Sequence, residues 1–117
     1  MDLFHWLKNT CASSQPSAIH LPDGPHTPPV RRHYRFSGLV QGVGFRYEAK
    51  ILAAQLGLTG WAQNKSDGTV AVEVEGEAGY IDEFIRAMRA VPRFDITGIE
   101  MEELPVAGTE AAFKVLY

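Results

Sequence analysis

The order of hydrophobic periodicities over residues 31–117 constrains the fold of this chain most. Two segments each carry one apolar stripe at helical spacing, formed by Phe45, Ala49, Leu52, Ala53 and Leu56 and by Tyr80, Ile81, Phe84, Ile85 and Met88. Five other segments are predicted strands. Residues 33–40, 70–75 and 113–117 alternate apolar and polar residues, as half-buried strands do, and 58–64 and 96–102 are the second and fourth strands. A single stripe lets each helix cover one face of a sheet. We therefore predict an α+β sandwich of order β-α-β-β-α-β plus a terminal strand, with an antiparallel sheet and two helices on one face.

Local signals mark the ends of these elements. Gly57 follows the first apolar stripe, where a glycine commonly terminates a helix. Residues 65–68 read KSDG and predict a hairpin turn, with Gly68 supplying the positive φ. Five glutamates of the third and fourth strands are predicted to lie on outward faces as solvated charges that protect sheet edges. These are Glu73, Glu75, Glu100, Glu102 and Glu103.

The composition favours a soluble domain without metal or nucleic acid. Hydrophobic residues make up 45% and charged residues 21%, and no apolar run approaches the ~18 residues of a membrane span. The net charge of −3 disfavours a polyanion partner. No Cys/His cluster has zinc-ligand spacing, and the single cysteine, Cys11, is typical of a reducing compartment. We expect a cytoplasmic monomer with no metal, no cofactor, no membrane contact and no nucleic-acid partner.

The first thirty residues differ from the rest. They hold five of the seven prolines and three of the four histidines, and residues 15–29 have no helical or strand period. Proline removes backbone donors and restricts its neighbour, so we predict that residues 1–30 are a disordered extension and residues 31–117 the domain. In the alternative, Phe4 and Trp6 anchor a docking peptide.

The chemistry is expected where the first strand meets the first helix. Residues 38–46 read GLVQGVGFR, and glycines let a ligand approach main-chain amides closely. Free N–H groups of such a loop and of the first helical turn form a concavity that binds anions, phosphate above all. The alternative is a tight connection without a ligand.

Two side chains stand out at this junction and at the next strand. Arg46 places a cation in the first turn of a helix, which the helix dipole disfavours unless an anion is bound there. The alternative for Arg46 is a surface salt bridge to Glu48 or Glu77. Asn64 ends the second strand, where its amide can hold a water by two hydrogen bonds or simply initiate the hairpin turn.

Groups for covalent phosphoryl transfer are missing from the domain. Residues 31–117 hold no cysteine and one histidine, His33, and Ser17 stands where a phosphatase loop beginning at Cys11 needs arginine. A phosphocysteine route is therefore disfavoured, and a phosphohistidine route has only His33.

These residues resemble the acylphosphatase family. Its first signature corresponds to residues 38–46, and its second corresponds to residues 60–70, which read GWAQNKSDGTV. The resemblance covers residues 31–117 and departs at Ala62, at Gln63 and around Arg93–Asp95, where the family usually has a Pro-Pro turn. It implies the ferredoxin-like fold and metal-independent hydrolysis of an acyl phosphate to a carboxylate and phosphate, without a covalent intermediate.

The resemblance also implies roles for individual residues. Arg46 binds the phosphoryl group together with the backbone amides of Gln41, Gly42, Val43, Gly44, Phe45 and Arg46 itself. Asn64 positions the attacking water. The partners are then a small acyl phosphate and the phosphate product.

Two rival functions remain open. The first is a non-catalytic module that binds phosphate or carbamoyl phosphate, because a similar domain begins hydrogenase-maturation carbamoyltransferases. The second is an RNA-recognition domain, which has the same order of elements. The predicted outward face of the third strand is acidic, which argues against base stacking.

Overall fold

The computed structural model describes residues 19–22 and 24–117, which form five strands and two helices. They are β1 (Pro29–Leu39), α1 (Phe45–Gln55), β2 (Thr59–Asn64), β3 (Val70–Glu77), α2 (Ala78–Arg89), β4 (Asp95–Leu104) and β5 (Phe113–Leu116). The predicted order of elements is confirmed. No helix among these residues has the length and apolar character needed to cross a membrane.

The five strands form one sheet in the order β4-β1-β3-β2-β5. Every neighbouring pair is antiparallel except β2 and β5, which are parallel. The prediction of a wholly antiparallel sheet is therefore wrong for this last pair. Alternation in residues 113–117 indicates which side chains face the core, but it carries no information about strand direction. That direction is set by residues 105–112, which carry the chain from β4 at one edge to β5 at the other.

The core lies between the sheet and the two helices, as the periodicities predict. Val70, Val72 and Val74 of β3 are fully buried, and all five residues of the α1 stripe are buried. In α2, Ile81, Phe84 and Met88 are buried, while Tyr80 and Ile85 pack against the core from its margin. The ring of Phe45 packs against Phe36 of β1, with centroids 4.9 Å apart, so the first residue of α1 is anchored in the core.

Helix α1 ends in a Schellman motif, which confirms the role predicted for Gly57. Gly57 has φ +68°, Leu58 N–H donates to Ala53 O at 2.9 Å, and Gly57 N–H donates to Ala54 O at 3.3 Å. The hairpin turn after β2 is confirmed as well, because Lys65 N–H donates to Thr69 O and Gly68 has φ +92°.

The outward face of the sheet is less simple than predicted. Glu100 and Glu102 are exposed on the outward face as expected. The prediction is wrong for Glu103, which is exposed but lies on the helix side of the sheet and accepts from Arg32, a residue that also donates to Asp82 of α2. Glu73 and Glu75 are not free solvated charges, because the nearly buried Arg31 guanidinium donates to both. The β4–β5 connection folds over this pair.

The described part of the N-terminal segment lies along α2. His20 N–H donates to Glu83 Oε2 at 2.9 Å, and Thr27 N–H donates to Glu77 Oε1 at 3.0 Å. Strand β1 begins at Pro29, two residues before the predicted start of the domain. Residues 1–18, which include the possible anchors Phe4 and Trp6, lie outside the described residues.

Candidate active site

The loop between β1 and α1 presents unpaired backbone donors. Gly42 and Gly44 have φ +76° and +81°, in the left-handed region, and Gly44 is the N-cap of α1. Among the described residues, no N–H of residues 41–46 donates a hydrogen bond to another group. The loop therefore leaves its backbone N–H groups open to a ligand.

Two side chains connect this loop to neighbouring segments. Gln41 Nε2 donates to Lys65 O at 2.7 Å and to Thr69 O at 2.8 Å, which ties the loop to the β2–β3 hairpin. Arg93, which lies between α2 and β4, donates from Nε to Val43 O at 2.8 Å. The sequence prediction assigned Gln41 only a backbone role and assigned Arg93 none. The one feature of the sequence that could have pointed to Arg93 is the departure from the family pattern at residues 93–95.

Arg46 lies in the first turn of α1, and its partners there are neutral. Nη1 donates to Leu116 O at 2.9 Å, and the guanidinium carbon lies 4.9 Å from the centroid of the Tyr117 ring. The alternative of a salt bridge from Arg46 to Glu48 or Glu77 is wrong. Glu48 pairs with Arg93, and Glu77 pairs with residues of the N-terminal segment. Within the described part of the chain, the charge of Arg46 has no carboxylate partner.

Asn64 is the last residue of β2, and its side chain makes no hydrogen bond to any described group. The hairpin turn is stabilised instead by Asp67, whose Oδ1 accepts from Thr69 N at 3.0 Å and from Thr69 Oγ1 at 2.6 Å. These two donors hold the pKa of Asp67 below its ordinary value. Asn64 is therefore not needed for the turn, and its amide is available to a ligand.

One cavity of about 170 Å³ brings these groups together. It is lined by Val40, Gly42, Gly44, Phe45, Arg46, Tyr47, Asn64, Val115 and Tyr117. Arg46, Asn64 and part of the loop thus meet at one place, as predicted. No Asp, Glu, His or Cys lines the cavity, and the described residues contain no group of three or more such side chains placed to hold a metal ion.

The C-terminal part of the lining was missed by sequence reasoning. Val115 and Tyr117 come from β5 and its end, about seventy residues after Arg46 in the chain. Their alternating pattern predicts a strand but not its neighbour. Only the parallel pairing of β5 with β2 brings them to Asn64.

The chain is similar to proteins of one family along most of its length. The family model named Acylphosphatase matches residues 32–115. An acylphosphatase from Chlorobaculum tepidum is 44% identical over 87 residues, which span 74% of this chain and 95% of that protein.

Solved structures agree with this similarity. The crystal structure of an acylphosphatase from Bacillus subtilis matches with a TM-score of 0.70 at 30% identity, over 75% of this chain and 99% of that one. Full-length HypF, solved in a phosphate- and nucleotide-bound form, matches with a TM-score of 0.71 at 31% identity. That match covers 81% of this chain but 13% of HypF.

Proposed function

Because this chain belongs to the acylphosphatase family, we propose that its cavity hydrolyses small acyl phosphates through Arg46, Asn64 and the backbone amides of residues 41–46. The family assignment makes the chain an acyl phosphate hydrolase. The roles of individual residues are our proposal. One observation carries this proposal: Arg46 and Asn64 line the same cavity as the glycine loop. Neither side chain has a charged partner among the described residues, and neither is needed to stabilise the turn or the helix in which it lies.

The phosphoryl group binds to the loop and to Arg46. Unpaired N–H groups at the start of α1 attract an anion, and the planar guanidinium can donate to two phosphate oxygens. As the bond to the acyl group breaks, charge spreads over the equatorial oxygens, and donors that are already oriented stabilise it without reorganising. The neutral partners of Arg46, Leu116 O and the Tyr117 ring, orient the guanidinium and leave its charge for the substrate.

Asn64 places the attacking water. Its carbonyl accepts one hydrogen bond from the water, and its NH₂ donates a second one to the same water. The water oxygen attacks phosphorus, the bond from phosphorus to the acyl oxygen breaks, and its electron pair leaves with the carboxylate. No Asp, Glu or His side chain among the described residues lines the cavity, and we assign the proton of the water to a phosphate oxygen of the substrate. This route uses neither metal nor cofactor.

A non-catalytic phosphate or carbamoyl-phosphate module is the second candidate. It is favoured by the match to a small part of HypF, a protein solved with phosphate bound. Binding alone would not require an unpaired amide at Asn64 beside the loop, and for that reason we prefer hydrolysis. We do not propose RNA binding, because the Trp61 ring on the outward face lies edge-on to His33 and close to acidic side chains.

We also propose that the protein is a cytoplasmic monomer. Few large apolar side chains are exposed among the described residues, and two of them, Tyr47 and Tyr117, line the cavity of the candidate site. Size-exclusion chromatography with light scattering tests this, and a stable dimer at micromolar concentration would contradict it.

Hydrolysis of benzoyl phosphate in the presence of EDTA tests the function. We expect turnover by the wild type and a loss of about 10²–10³ in kcat/KM for Arg46→Ala. Arg46→Lys keeps the charge without the planar fork and should be intermediate. Arg89→Ala is the matched control, since Arg89 is an exposed arginine whose side chain has no partner among the described residues. A folded wild type that binds phosphate without hydrolysing acyl phosphates would support the module instead.

A further inference from the structure

Arg93 contacts the loop between β1 and α1 without lining the cavity. Its Nε donates to Val43 O at 2.8 Å, and its Nη2 donates to Glu48 Oε1 at 3.1 Å. Its guanidinium also lies over the Phe94 ring, 5.0 Å from the centroid. Arg93 does not line the cavity. One planar group therefore joins the loop, the first turn of α1 and the connection before β4.

The contact with Val43 controls the direction of a donor. In a trans peptide unit, the C=O and the following N–H point in opposite directions. When Arg93 binds Val43 O, the Gly44 N–H is turned away from Arg93, and Gly44 is one of the residues that line the cavity. A charged donor on the carbonyl also polarises the peptide and makes its N–H a stronger donor.

Val43 packs against the core and Gly44 O accepts a hydrogen bond from Glu48 N at 3.0 Å, but neither contact holds Val43 O or the Gly44 N–H. Gly42 and Gly44 are free to adopt several backbone conformations, and no N–H of residues 41–46 is held by a described group. The Gln41 side chain fixes the other end of the loop. Without Arg93, the Val43–Gly44 peptide unit can rotate.

Arg93 also neutralises a charge close to the anion site. The Glu48 carboxylate is in the first turn of α1, and its side chain is only 14% exposed. A phosphate bound by that same turn would be repelled by an uncompensated Glu48. The position of Arg93 is set in advance, because the Phe94 ring packs against Phe45 with centroids 4.9 Å apart.

We propose that Arg93 is a positioning residue for phosphate recognition: it holds the Val43–Gly44 peptide unit with the Gly44 N–H toward the phosphoryl group and screens Glu48. The inference rests on the proposed function of the cavity. The ligand class is the phosphoryl group of the substrate and, equally, free phosphate.

Inorganic phosphate is the probe, because it tests Arg93 whether or not the wild type hydrolyses acyl phosphates. In ¹⁵N-labelled protein, we expect phosphate to shift the Gly44 amide resonance. Arg93→Ala should weaken phosphate binding by about 10-fold and reduce the Gly44 shift at saturation, less than the loss of an entire donor. Arg93→Lys, which keeps a charged donor, should recover part of both, and Arg89→Ala should match the wild type.

A second variant separates positioning from charge screening. In Arg93→Ala, the further change Glu48→Gln removes the unscreened charge but leaves Val43 O without its donor. We expect partial recovery of phosphate affinity and no recovery of the Gly44 shift. Full recovery of both would overturn the positioning role.

Activity and stability measurements complete the test. Arg93→Ala should raise KM and lower kcat for benzoyl phosphate. Thermal unfolding identifies a temperature at which every variant is folded. A variant that is less stable but binds phosphate with wild-type affinity and Gly44 shift would show that Arg93 is only structural. A wild type that binds phosphate without turnover would overturn the proposed function and leave the phosphate result for Arg93 standing.

Discussion

At the scale of single residues, the site is distinguished by polar side chains that lack charged or hydrogen-bonding partners. Arg31 and Arg93 both bind carboxylates. Arg46 binds only a carbonyl and an aromatic ring, although it sits where a helix dipole disfavours a cation by about 0.3–1 kcal/mol. Asn64 has no described partner at all. A bound phosphoryl group would satisfy Arg46, and the attacking water would satisfy Asn64.

Asn64→Ala should lower kcat by about 10²–10³ while leaving inhibition by inorganic phosphate unchanged, because placing water does not contribute to binding phosphate. The melting temperature of Asn64→Ala should stay close to that of the wild type, since the Asn64 side chain makes no hydrogen bond to any of the described residues. Steady-state kinetics with phosphate as inhibitor checks this. Ser66→Ala, an exposed change in the adjacent turn, is the control. Wild-type kcat in Asn64→Ala would remove Asn64 from the mechanism.

At the scale of elements, α1 depends on a glycine at each end for different reasons. Gly44 begins the helix with a left-handed conformation and leaves donors for a ligand. Gly57 follows the end of the helix and is also left-handed. The chain reverses there, and the next residue, Leu58, is buried. Under the proposed function, the first end of α1 serves ligand binding, whereas the second serves the stability of the fold.

Gly57→Ala should lower the free energy of unfolding by about 1–2 kcal/mol and leave kcat unchanged. A Cβ at Gly57 meets no atom within 4 Å, so the cost is that of a left-handed backbone alone. Gly98→Ala is the matched control, because its φ is not in that region and the added Cβ makes an ordinary contact with Ser37. Urea unfolding compares the two. Equal stability of both variants would contradict the assignment of strain to Gly57.

At the scale of the molecule, a charge cluster connects distant parts of the chain. Arg31 of β1 donates to Glu73 and Glu75 of β3 and to Glu110 of the β4–β5 connection. Glu75 also accepts from the Ala107 and Gly108 amides. The cluster therefore fastens the segment that leads into β5, and the end of β5 provides the carbonyl that holds Arg46.

Arg31→Ala should destabilise the fold by about 3–5 kcal/mol, because it leaves three carboxylates together without a cation. Arg35→Ala removes the next outward arginine of β1, whose side chain is 46% exposed, and should cost less than about 1 kcal/mol. Urea unfolding at neutral pH measures both. A cost for Arg31→Ala as small as that for Arg35→Ala would mean that the cluster contributes little.

The same cluster predicts a loss of stability in acid. The hydrogen bond from Arg31 lowers the pKa of Glu110 below its ordinary value of about 4.3. A lowered folded-state pKa stabilises the fold above about pH 4.3, and this contribution is lost as the pH falls through the folded-state value. Urea unfolding between pH 3 and pH 7 should therefore show a weaker pH dependence for Glu110→Gln than for the wild type. An identical slope would contradict the linkage.

Much of the fold and the centre of the site follow from local sequence. Phe45, Ala49 and Leu52 repeat at helical spacing, and Val70, Val72 and Val74 alternate, because each element must present its apolar side to one core. The loop before Arg46 is recognisable because only glycines allow its backbone. These features involve residues within about a dozen positions of each other, and the sequence displays them directly.

What the tertiary structure decided is which distant residues meet. The direction of β5, the partners of Glu73 and Glu75, the contact between Arg46 and Leu116, and the contact of Arg93 with Val43 join residues separated by 32 to 70 positions. No spacing or periodicity encodes such pairs. They exist because a sheet with strand order β4-β1-β3-β2-β5 places the ends of distant segments side by side, and polar groups brought together there must satisfy one another.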